Sequence, residues 1–221
     1  MSDQRRLRLL IGCEQRGGLI SHRRLSDGVE VPYEINISWW SAMADGGIDP
    51  AHLQRERFLL TQLLVMALPG VPAFYLPALM ATPNDLARFR RTGQRRDLNR
   101  PQFRTEALER RLQDPDSDLT AVLAKLRQAL AVRASLPPLH PDADLTVLSQ
   151  GRLDRVILRR AREGQTLLAV HNMTSSRLTL RLSRYGEAEN AVWTDCLSGE
   201  VLHTNRLHSL EPYAVHWLIQ R

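Results

Sequence analysis

The spacing of apolar residues changes once along this chain, near residue 140. Before that point apolar residues recur every three to four positions, a spacing that predicts amphipathic helices. One long helix is predicted to open with Asp49 as N-cap and Pro50 in its first turn, and another to open at Asp116 or Ser117 and stop near Pro137. Their inner faces carry Leu53, Leu60, Leu63, Leu64 and Ala67 in the first helix and Leu119, Val122, Leu123, Leu126 and Leu130 in the second.

After residue 140 apolar and polar residues alternate, which predicts strands. Turn residues such as Gly151, Gly164 and Gly199 separate the alternating segments, so an antiparallel sheet is expected. The predicted strands are LTVLS, DRVILRR, TLLAVHNM, RLTLRLS, AVWTD and YAVHWLI. A stretch rich in proline and acidic residues precedes them, and we place a domain boundary there, giving residues 1–140 and 141–221.

The first 40 residues give weaker patterns. A short amphipathic helix is expected within residues 1–20, ended by glycines, and residues 20–40 are predicted to form a long surface loop with a turn at residues 26–28. The helix carries Leu7, Leu10 and Ile11 on one face and is ended by Gly17 and Gly18; the loop carries the aromatic side chains Tyr33, Trp39 and Trp40. Such aromatic residues either stack on sugar rings or are half-buried core, and the sequence leaves both interpretations open.

Residues 68–100 combine three features in one stretch. Pro69 and Gly70 break the preceding helix, and the apolar run of residues 71–76 predicts a fully buried parallel strand. Residues 84–100 then carry six arginines against two aspartates, with Gly93 as the flexible point. A helix, a buried strand and a polar loop in this order are typical of an α/β barrel or a doubly wound sheet, where such loops carry function.

Composition limits the classes of protein. An apolar fraction of 43% in 221 residues is ordinary for a globular protein, and neither an apolar run of eighteen residues nor a signal-peptide core is present, so we expect a cytoplasmic protein with no membrane partner. Cys13 and Cys196 lack the spacing of a disulfide framework or a zinc site, and no metal or cofactor is expected. The net charge of +6 comes from arginine without a zinc-finger or RRM signature, so a nucleic-acid partner is not expected.

Several motifs in one order resemble a known family. They are GGLISHRR, YEINISWWSA, RFLLTQLLVMALPGVPAFYL, the pair Asn84 and Asp85, TGQRRDLNR, LAVHNMT and YAVHWLI. Together they resemble the C-terminal part of glycoside hydrolase family 13, in the group of sucrose and glucosylglycerate phosphorylases. The resemblance implies the C-terminal portion of a (β/α)8 TIM barrel followed by a small antiparallel β-sandwich domain, with residues 71–76 as the eighth barrel strand.

The resemblance also implies a function and a partner. Members of the group transfer glucose from an α-glucoside such as glucosylglycerate, glucosylglycerol or sucrose to inorganic phosphate. No residue here matches the family's catalytic Asp, Glu and Asp, so the missing N-terminal barrel portion is an expected partner and the chain alone is expected to be inactive. The resemblance assigns the acceptor side to Tyr33 and Glu34 and the phosphate to Arg96 and Arg100.

Two positions depart from the family pattern. Sucrose phosphorylases usually carry Gln where this chain has Glu34, which favours glucosylglycerate or glucosylglycerol over sucrose. Pro101 replaces the His or Glu common after the arginine motif. Two alternatives remain open: a non-catalytic carbohydrate-binding or interaction remnant of an amylase-superfamily protein, and an arginine-rich stretch in which most of the six arginines are solvated or pair with Asp85 and Asp97.

Overall fold

The structure is a computed structural model that describes residues 2–44, 53–185 and 190–220. By compactness the chain divides into two units, residues 1–55 with 74–123, and residues 56–73 with 124–221. The predicted N-cap at Asp49 and Pro50 lies outside the described residues.

Apart from two strands within residues 19–36, the described residues form helices before residue 140 and mainly strands after it, as the change in apolar spacing predicted. The helices are α1 Asp3–Gln15, α2 Trp39–Ala42, α3 Leu53–Ala67, α4 Leu76–Leu79, α5 Leu86–Thr92, α6 Thr105–Gln113 and α7 Asp118–Ser135, with 3-10 helices at Arg95–Asn99, Pro137–Leu139 and Leu182–Tyr185. The strands are β1 Leu19–Arg24, β2 Glu30–Asn36, β3 Asp144–Val147, β4 Arg155–Arg162, β5 Gln165–Asn172, β6 Leu178–Leu180, β7 Val192–Asp195, β8 Val201–His203, β9 His208–Leu210 and β10 Val215–Gln220.

The helix expected at the start of the chain is confirmed as α1, but its apolar face is not buried. Leu7 and Ile11 are 57% and 44% exposed, and the buried side chain of the helix is Cys13. Gly17 follows the helix with a φ of +74°, which favours glycine. At Gly18 a Cβ atom would lie 2.3 Å from Cys13 Sγ, so the chain needs glycine there in order to pass the helix.

The surface loop expected over residues 20–40 is wrong. β1 and β2 form an antiparallel hairpin there, followed by α2. The turn itself is where the sequence placed it, since Leu25 N–H donates to Val29 O at 2.8 Å and Gly28 has a φ of +86°. Most of the hairpin is exposed or half-buried on both faces, so its residues do not alternate between apolar and polar.

The strand predicted over residues 71–76 is also wrong for this chain. Residues 71–75 pair with no strand among the described residues, and Leu76 begins α4. Val71 is 82% exposed and Tyr75 is 56% exposed, so the run is not buried. A parallel strand is stabilised by hydrogen bonds to strands beside it, and no such neighbour lies next to this run within the part of the chain that is described.

The two long helices are confirmed as α3 and α7. Ser117, one of the two proposed caps, is the N-cap of α7, because its Oγ accepts a hydrogen bond from Thr120 N at 3.1 Å. Most of the predicted inner positions are buried, whereas Leu64 and Leu123 are half-buried and Leu130 is 39% exposed. Of the helices that the structure describes, none is both long and apolar enough to cross a membrane.

The antiparallel sheet is confirmed and has six strands in the order β3-β4-β5-β10-β7-β8. A second sheet pairs β6 with β9. The sequence missed β8 and β9, which are only three residues long. Both sheets contribute to one core, made by Ile157, Leu168, Val170, Leu180, Leu182, Ala191, Trp193, Leu202, Leu210 and Leu218.

Two buried arginines bind the end of α3. Arg160 on β4 is fully buried, and its Nη1 donates to Ala67 O, the last residue of α3, at 2.7 Å. Arg133 on α7 donates to Met66 O and, at 2.7 Å, to Gly70 O. The last carbonyls of a helix have no partner within the helix, so the guanidinium groups supply the missing donors. Burial lowers the pKa of both arginines.

Arg160 also holds the chain that leads into the sheet. It donates to the carbonyl oxygens of His140 at 2.8 Å, Ala143 at 3.1 Å and Asp144 at 3.1 Å. Gly70 N–H adds a hydrogen bond to Pro141 O at 2.9 Å. These bonds attach residues 56–73 and 137–144 to β4, so the division by compactness does not fall at residue 140. The division into domains 1–140 and 141–221 stays a prediction.

A buried carboxylate organises the turn after β7. Asp195 is 1% exposed, and its Oδ1 accepts from Leu197 N at 3.1 Å and Trp217 N at 2.9 Å. Its Oδ2 accepts from Ser198 Oγ at 2.6 Å, and His216 Nδ1 lies 3.1 Å away. Burial raises the pKa of Asp195, but the hydrogen bonds from His216, Ser198 and Leu197 outweigh burial, and the pKa is lowered.

We expect Arg160→Met to lower the free energy of unfolding of the second unit by roughly 3 kcal/mol or more. Several buried carbonyls lose their hydrogen-bond donor, and each loss costs about 1–3 kcal/mol. The matched control is Arg177→Met, since Arg177 is exposed and pairs with the exposed Glu211. The control should leave the free energy of unfolding close to that of the wild type, because exposed ion pairs contribute little. Urea unfolding followed by tryptophan fluorescence measures both, and equal effects of the two substitutions would contradict the capping role.

We expect Asp195 to make the stability of the second unit, residues 56–73 with 124–221, sensitive to acid. The folded pKa lies below the unfolded value of about 3.9, so the stabilisation is complete above that pH and is lost as the pH falls below it towards the folded pKa. Asp195→Asn should cost roughly 2 kcal/mol at neutral pH and flatten the loss in acid. Urea midpoints between pH 7 and pH 2 test this, and an unchanged acid dependence in the variant would show that other carboxyl groups cause it.

Candidate functional site

Asn84 joins three segments of the first unit. Its Oδ1 accepts from Ser38 N at 2.7 Å, and its own N–H donates to Ser41 Oγ at 2.9 Å. Its Nδ2 donates to Arg16 O at 3.2 Å and Gly17 O at 3.0 Å. The side chain therefore ties the start of the arginine-rich stretch to the end of α1 and to the start of α2.

The arginine-rich stretch is folded rather than a flexible loop. Asp85 caps α5, accepting from Arg88 N at 2.9 Å, and its N–H donates to Leu98 O at 2.8 Å. Gly93 ends α5 with a φ of +68°, and the 3-10 helix Arg95–Asn99 follows. The expected flexible point at Gly93 is thus a helix C-cap, a conformation that glycine adopts without strain.

Arg88 is one of the arginines that pairs with an aspartate, as one interpretation of the sequence held. Its Nη2 lies 3.0 Å from Asp97 Oδ1, and the two side chains are only 19% and 17% exposed. Hydrogen bonding from Arg88, followed by that from Thr92, lowers the pKa of Asp97. Arg88 therefore braces the 3-10 helix against α5.

The 3-10 helix lies along the β1–β2 hairpin. Arg95 donates to Ile20 O, and Asn99 Nδ2 lies 3.5 Å from Ile37 O. Between them, Arg96 Nε lies 3.2 Å from Glu34 Oε1 and 3.4 Å from Oε2. The structure thus brings together two of the four residues assigned to the site, although 62 positions separate them in the chain.

The other two assigned residues, Tyr33 and Arg100, are exposed, and they interact with residues other than Arg96 and Glu34. Tyr33 is 62% exposed, and the guanidinium of Arg23 lies 5.6 Å from the centre of its ring. The strand register shifts opposite Ser21 and His22, which makes Tyr33 the extra residue of a β-bulge; bulges redirect side chains. Arg100 is exposed, and its charge contributes to the lowered pKa of Asp97.

Arg88 also lines a polar cavity of about 560 Å³. It is lined by Asp85, Arg88, Arg91, Gln102, Phe103 and Arg104. Its charge is positive, since three guanidinium groups face one carboxylate that already caps α5.

Chemically, the hairpin and the 3-10 helix offer guanidinium donors, the Glu34 carboxylate and the Tyr33 ring. Guanidinium groups pair with phosphate and carboxylate oxygens, and aromatic rings stack on sugars. The roles of Tyr33, Glu34, Arg96 and Arg100 in binding stay predictions. The sequence missed Asn84 as the residue that positions this edge; the signals were its place at the start of the arginine-rich stretch and its membership of the motif Asn84 and Asp85.

We expect Asn84→Ala to loosen the hairpin edge. Removal of the acceptor should speed hydrogen exchange at the Ser38 amide and cost roughly 1–3 kcal/mol, since buried donors lose their partners. Asp27→Ala is the control, because it removes a side-chain acceptor from Val29 N–H in an exposed turn and should act only locally. Hydrogen exchange by mass spectrometry measures both. Unchanged protection near residue 38 in Asn84→Ala would refute the positioning role.

No family model matches the chain. The glucosylglycerate phosphorylase of Allomeiothermus silvanus is 31% identical over 206 residues, which cover 93% of this chain and 34% of that protein. The glucosylglycerate phosphorylase of Escherichia coli is 25% identical over 213 residues, covering 96% of this chain and 36% of that protein.

A solved structure shares the fold. The sucrose 6F-phosphate phosphorylase of Thermoanaerobacter thermosaccharolyticum superposes with a TM-score of 0.62 at 16% identity, covering 96% of this chain and 37% of that chain. The chain thus spans about a third of the length of the curated relatives that it matches. Its motifs, these relatives and this shared fold place the chain in glycoside hydrolase family 13, within the group of glucosylglycerate and sucrose phosphorylases.

Proposed function

We propose that this chain supplies the phosphate- and acceptor-binding edge of a retaining glycoside phosphorylase that transfers glucose from an α-glucoside to inorganic phosphate. The product is glucose 1-phosphate. The observation that carries the proposal is the 31% identity to a glucosylglycerate phosphorylase over 206 residues, in a stretch that includes the hairpin and the 3-10 helix. The complete enzyme would contain the C-terminal portion of a TIM barrel, built in part from this chain, with the β-domain behind it.

The position of Arg96 supports a phosphate-binding role. Its Nε faces Glu34, and more than half of the side chain is exposed, at 56%. The guanidinium therefore has donors left for a ligand, and its planar fork pairs well with phosphate oxygens without losing its charge. Arg100 closes the same motif and is exposed, so it is the second candidate for the same ligand.

Glu34 and Tyr33 are proposed to face the acceptor. A carboxylate at residue 34, where sucrose phosphorylases usually carry glutamine, favours glucosylglycerate or glucosylglycerol over sucrose as the glucoside. Tyr33, the preceding residue in the chain, offers an exposed aromatic ring, which suits the apolar face of a sugar.

The chemistry also needs groups that this chain does not match. A retaining enzyme uses one carboxylate as nucleophile and another as acid and base, about 5 Å apart. These are proposed to come from the barrel portion that makes up the rest of the relatives' length. The chain would then bind and orient phosphate and acceptor while its partner carries the covalent step.

A chimaera tests the proposal. Residues 1–221 replace the matched third of the Allomeiothermus silvanus relative, and release of glucose 1-phosphate is measured with glucosylglycerate and with sucrose. We expect phosphate-dependent activity that is greater with glucosylglycerate, and none from the isolated chain. Activity of the isolated chain, or a folded chimaera without phosphorolysis, would contradict the proposal.

In that chimaera Arg96→Ala should weaken phosphate binding roughly ten- to a hundredfold, since a charge-assisted hydrogen bond is lost. Formation of the glucosyl-enzyme does not use phosphate and should survive, so that water takes a larger share of the intermediate. Phosphorolysis and hydrolysis are compared over a range of phosphate concentrations. Arg177→Ala is the control, because that arginine is exposed and lies far along the chain from the proposed site. An unchanged phosphate response in both Arg96→Ala and Arg100→Ala would place the phosphate elsewhere.

A second candidate function is carbohydrate binding without catalysis, and the exposed aromatic residues favour it. Tyr33 is 62% exposed and Trp39 is 47% exposed, as stacking on a sugar requires. Binding of glucosides by the isolated chain that is lost in Tyr33→Ala and is indifferent to phosphate would support this function over the first.

A further inference from the structure

The pairing of Arg96 with Glu34 has a consequence for ligand binding. We propose that Glu34 is the resting counter-ion of Arg96, and that an anionic ligand must displace this carboxylate to bind. The inference rests on the proposed function, because it concerns the same arginine. It adds a role for Glu34 that lowers the affinity of Arg96 for phosphate.

The backbone places the two side chains together. Glu34 lies on β2 opposite Ser21 of β1, and Arg96 lies on the 3-10 helix. On either side of Arg96, Arg95 donates to Ile20 O and Asn99 lies within 3.5 Å of Ile37 O. The contact between Arg96 and Glu34 is therefore built into the way the 3-10 helix lies on the hairpin.

The contact uses one part of the guanidinium only. Both carboxylate oxygens of Glu34 lie within 3.4 Å of the same atom, Arg96 Nε. A ligand oxygen that approaches the remaining N–H groups would sit next to a carboxylate already in place. Two anions on one guanidinium repel each other, so the ligand either shares the cation at a cost or replaces Glu34.

The exposure of both side chains determines how easily a ligand displaces the Glu34 carboxylate from Arg96. The side chains of Arg96 and Glu34 are 56% and 34% exposed, and ion pairs of this kind are weak. The pair Arg88–Asp97 is the contrast, since both side chains are under 20% exposed and hydrogen bonding from Arg88 lowers the pKa of Asp97. The arginine-rich stretch thus holds Arg88, which stabilises the fold, and Arg96, which is exposed enough to bind a ligand.

The test measures binding of inorganic phosphate to the 221-residue chain at low ionic strength, by calorimetry and by phosphorus NMR. Glu34→Gln should bind phosphate roughly two- to fivefold more tightly than the wild type, which is the range that corresponds to an exposed ion pair. The gain should shrink as salt is added, because salt screens exposed charges. In the Glu34→Gln background, Arg96→Gln should remove the gain.

The second measurement follows the ion pair itself. The Arg96 Nε–H signal in proton–nitrogen NMR should move on addition of phosphate to the wild type, towards its position in Glu34→Gln. Glu211→Gln is the matched control, because Glu211 also forms an exposed ion pair, with Arg177 at 2.9 Å. This change should leave both readouts as in the wild type.

The outcomes separate this inference from the proposed function. Binding that depends on Arg96 but is unchanged or weakened in Glu34→Gln overturns the displacement of Glu34 and leaves the phosphate role of Arg96 intact. If phosphate binding does not depend on Arg96 in either background, Arg96 does not bind phosphate. The proposed displacement of Glu34 is then refuted as well.

Discussion

Two buried guanidinium groups hold the second unit together. Arg133 and Arg160 reach the last carbonyls of α3 from a helix and from a strand, and Arg160 continues to the chain that enters the sheet. Burying a charge costs free energy, and here carbonyl dipoles offset that cost where a carboxylate would be the usual partner. The same bonds explain why residues 56–73 pack with the sheet although the apolar spacing assigns them to the helical half.

Sequence patterns predicted the elements that place several apolar side chains in the core. α3, α7, β4, β5 and β10 all do so, and β5 does so on both faces, so their existence and type could be recognised. The hairpin β1–β2 buries little on either face and gave no such signal. Residues 71–76 gave a strong strand signal, but a strand also needs partners, and the spacing of apolar residues carries no information about whether partners are present.

The candidate site divides in the same way. Residue types and family resemblance pointed to Glu34 and Arg96, but their contact depends on how the 3-10 helix lies on the hairpin, across 62 positions of sequence. Asn84 illustrates the limit further: an asparagine in a polar stretch has many interpretations, and only the fold shows that it bonds to two other segments at once. The electrostatics of the edge therefore follow from tertiary packing that local patterns do not encode.

The buried guanidinium groups also constrain how this protein can evolve. Lysine occurs once, at Lys125, among 30 basic residues, so a shift in codon usage towards lysine would have many exposed arginines to replace at little cost. Positions 133 and 160 would resist that drift, because an ammonium group cannot span several carbonyls as the planar fork does. In a lysine-rich lineage of this family, arginine retained at these two positions would mark the fold rather than the function.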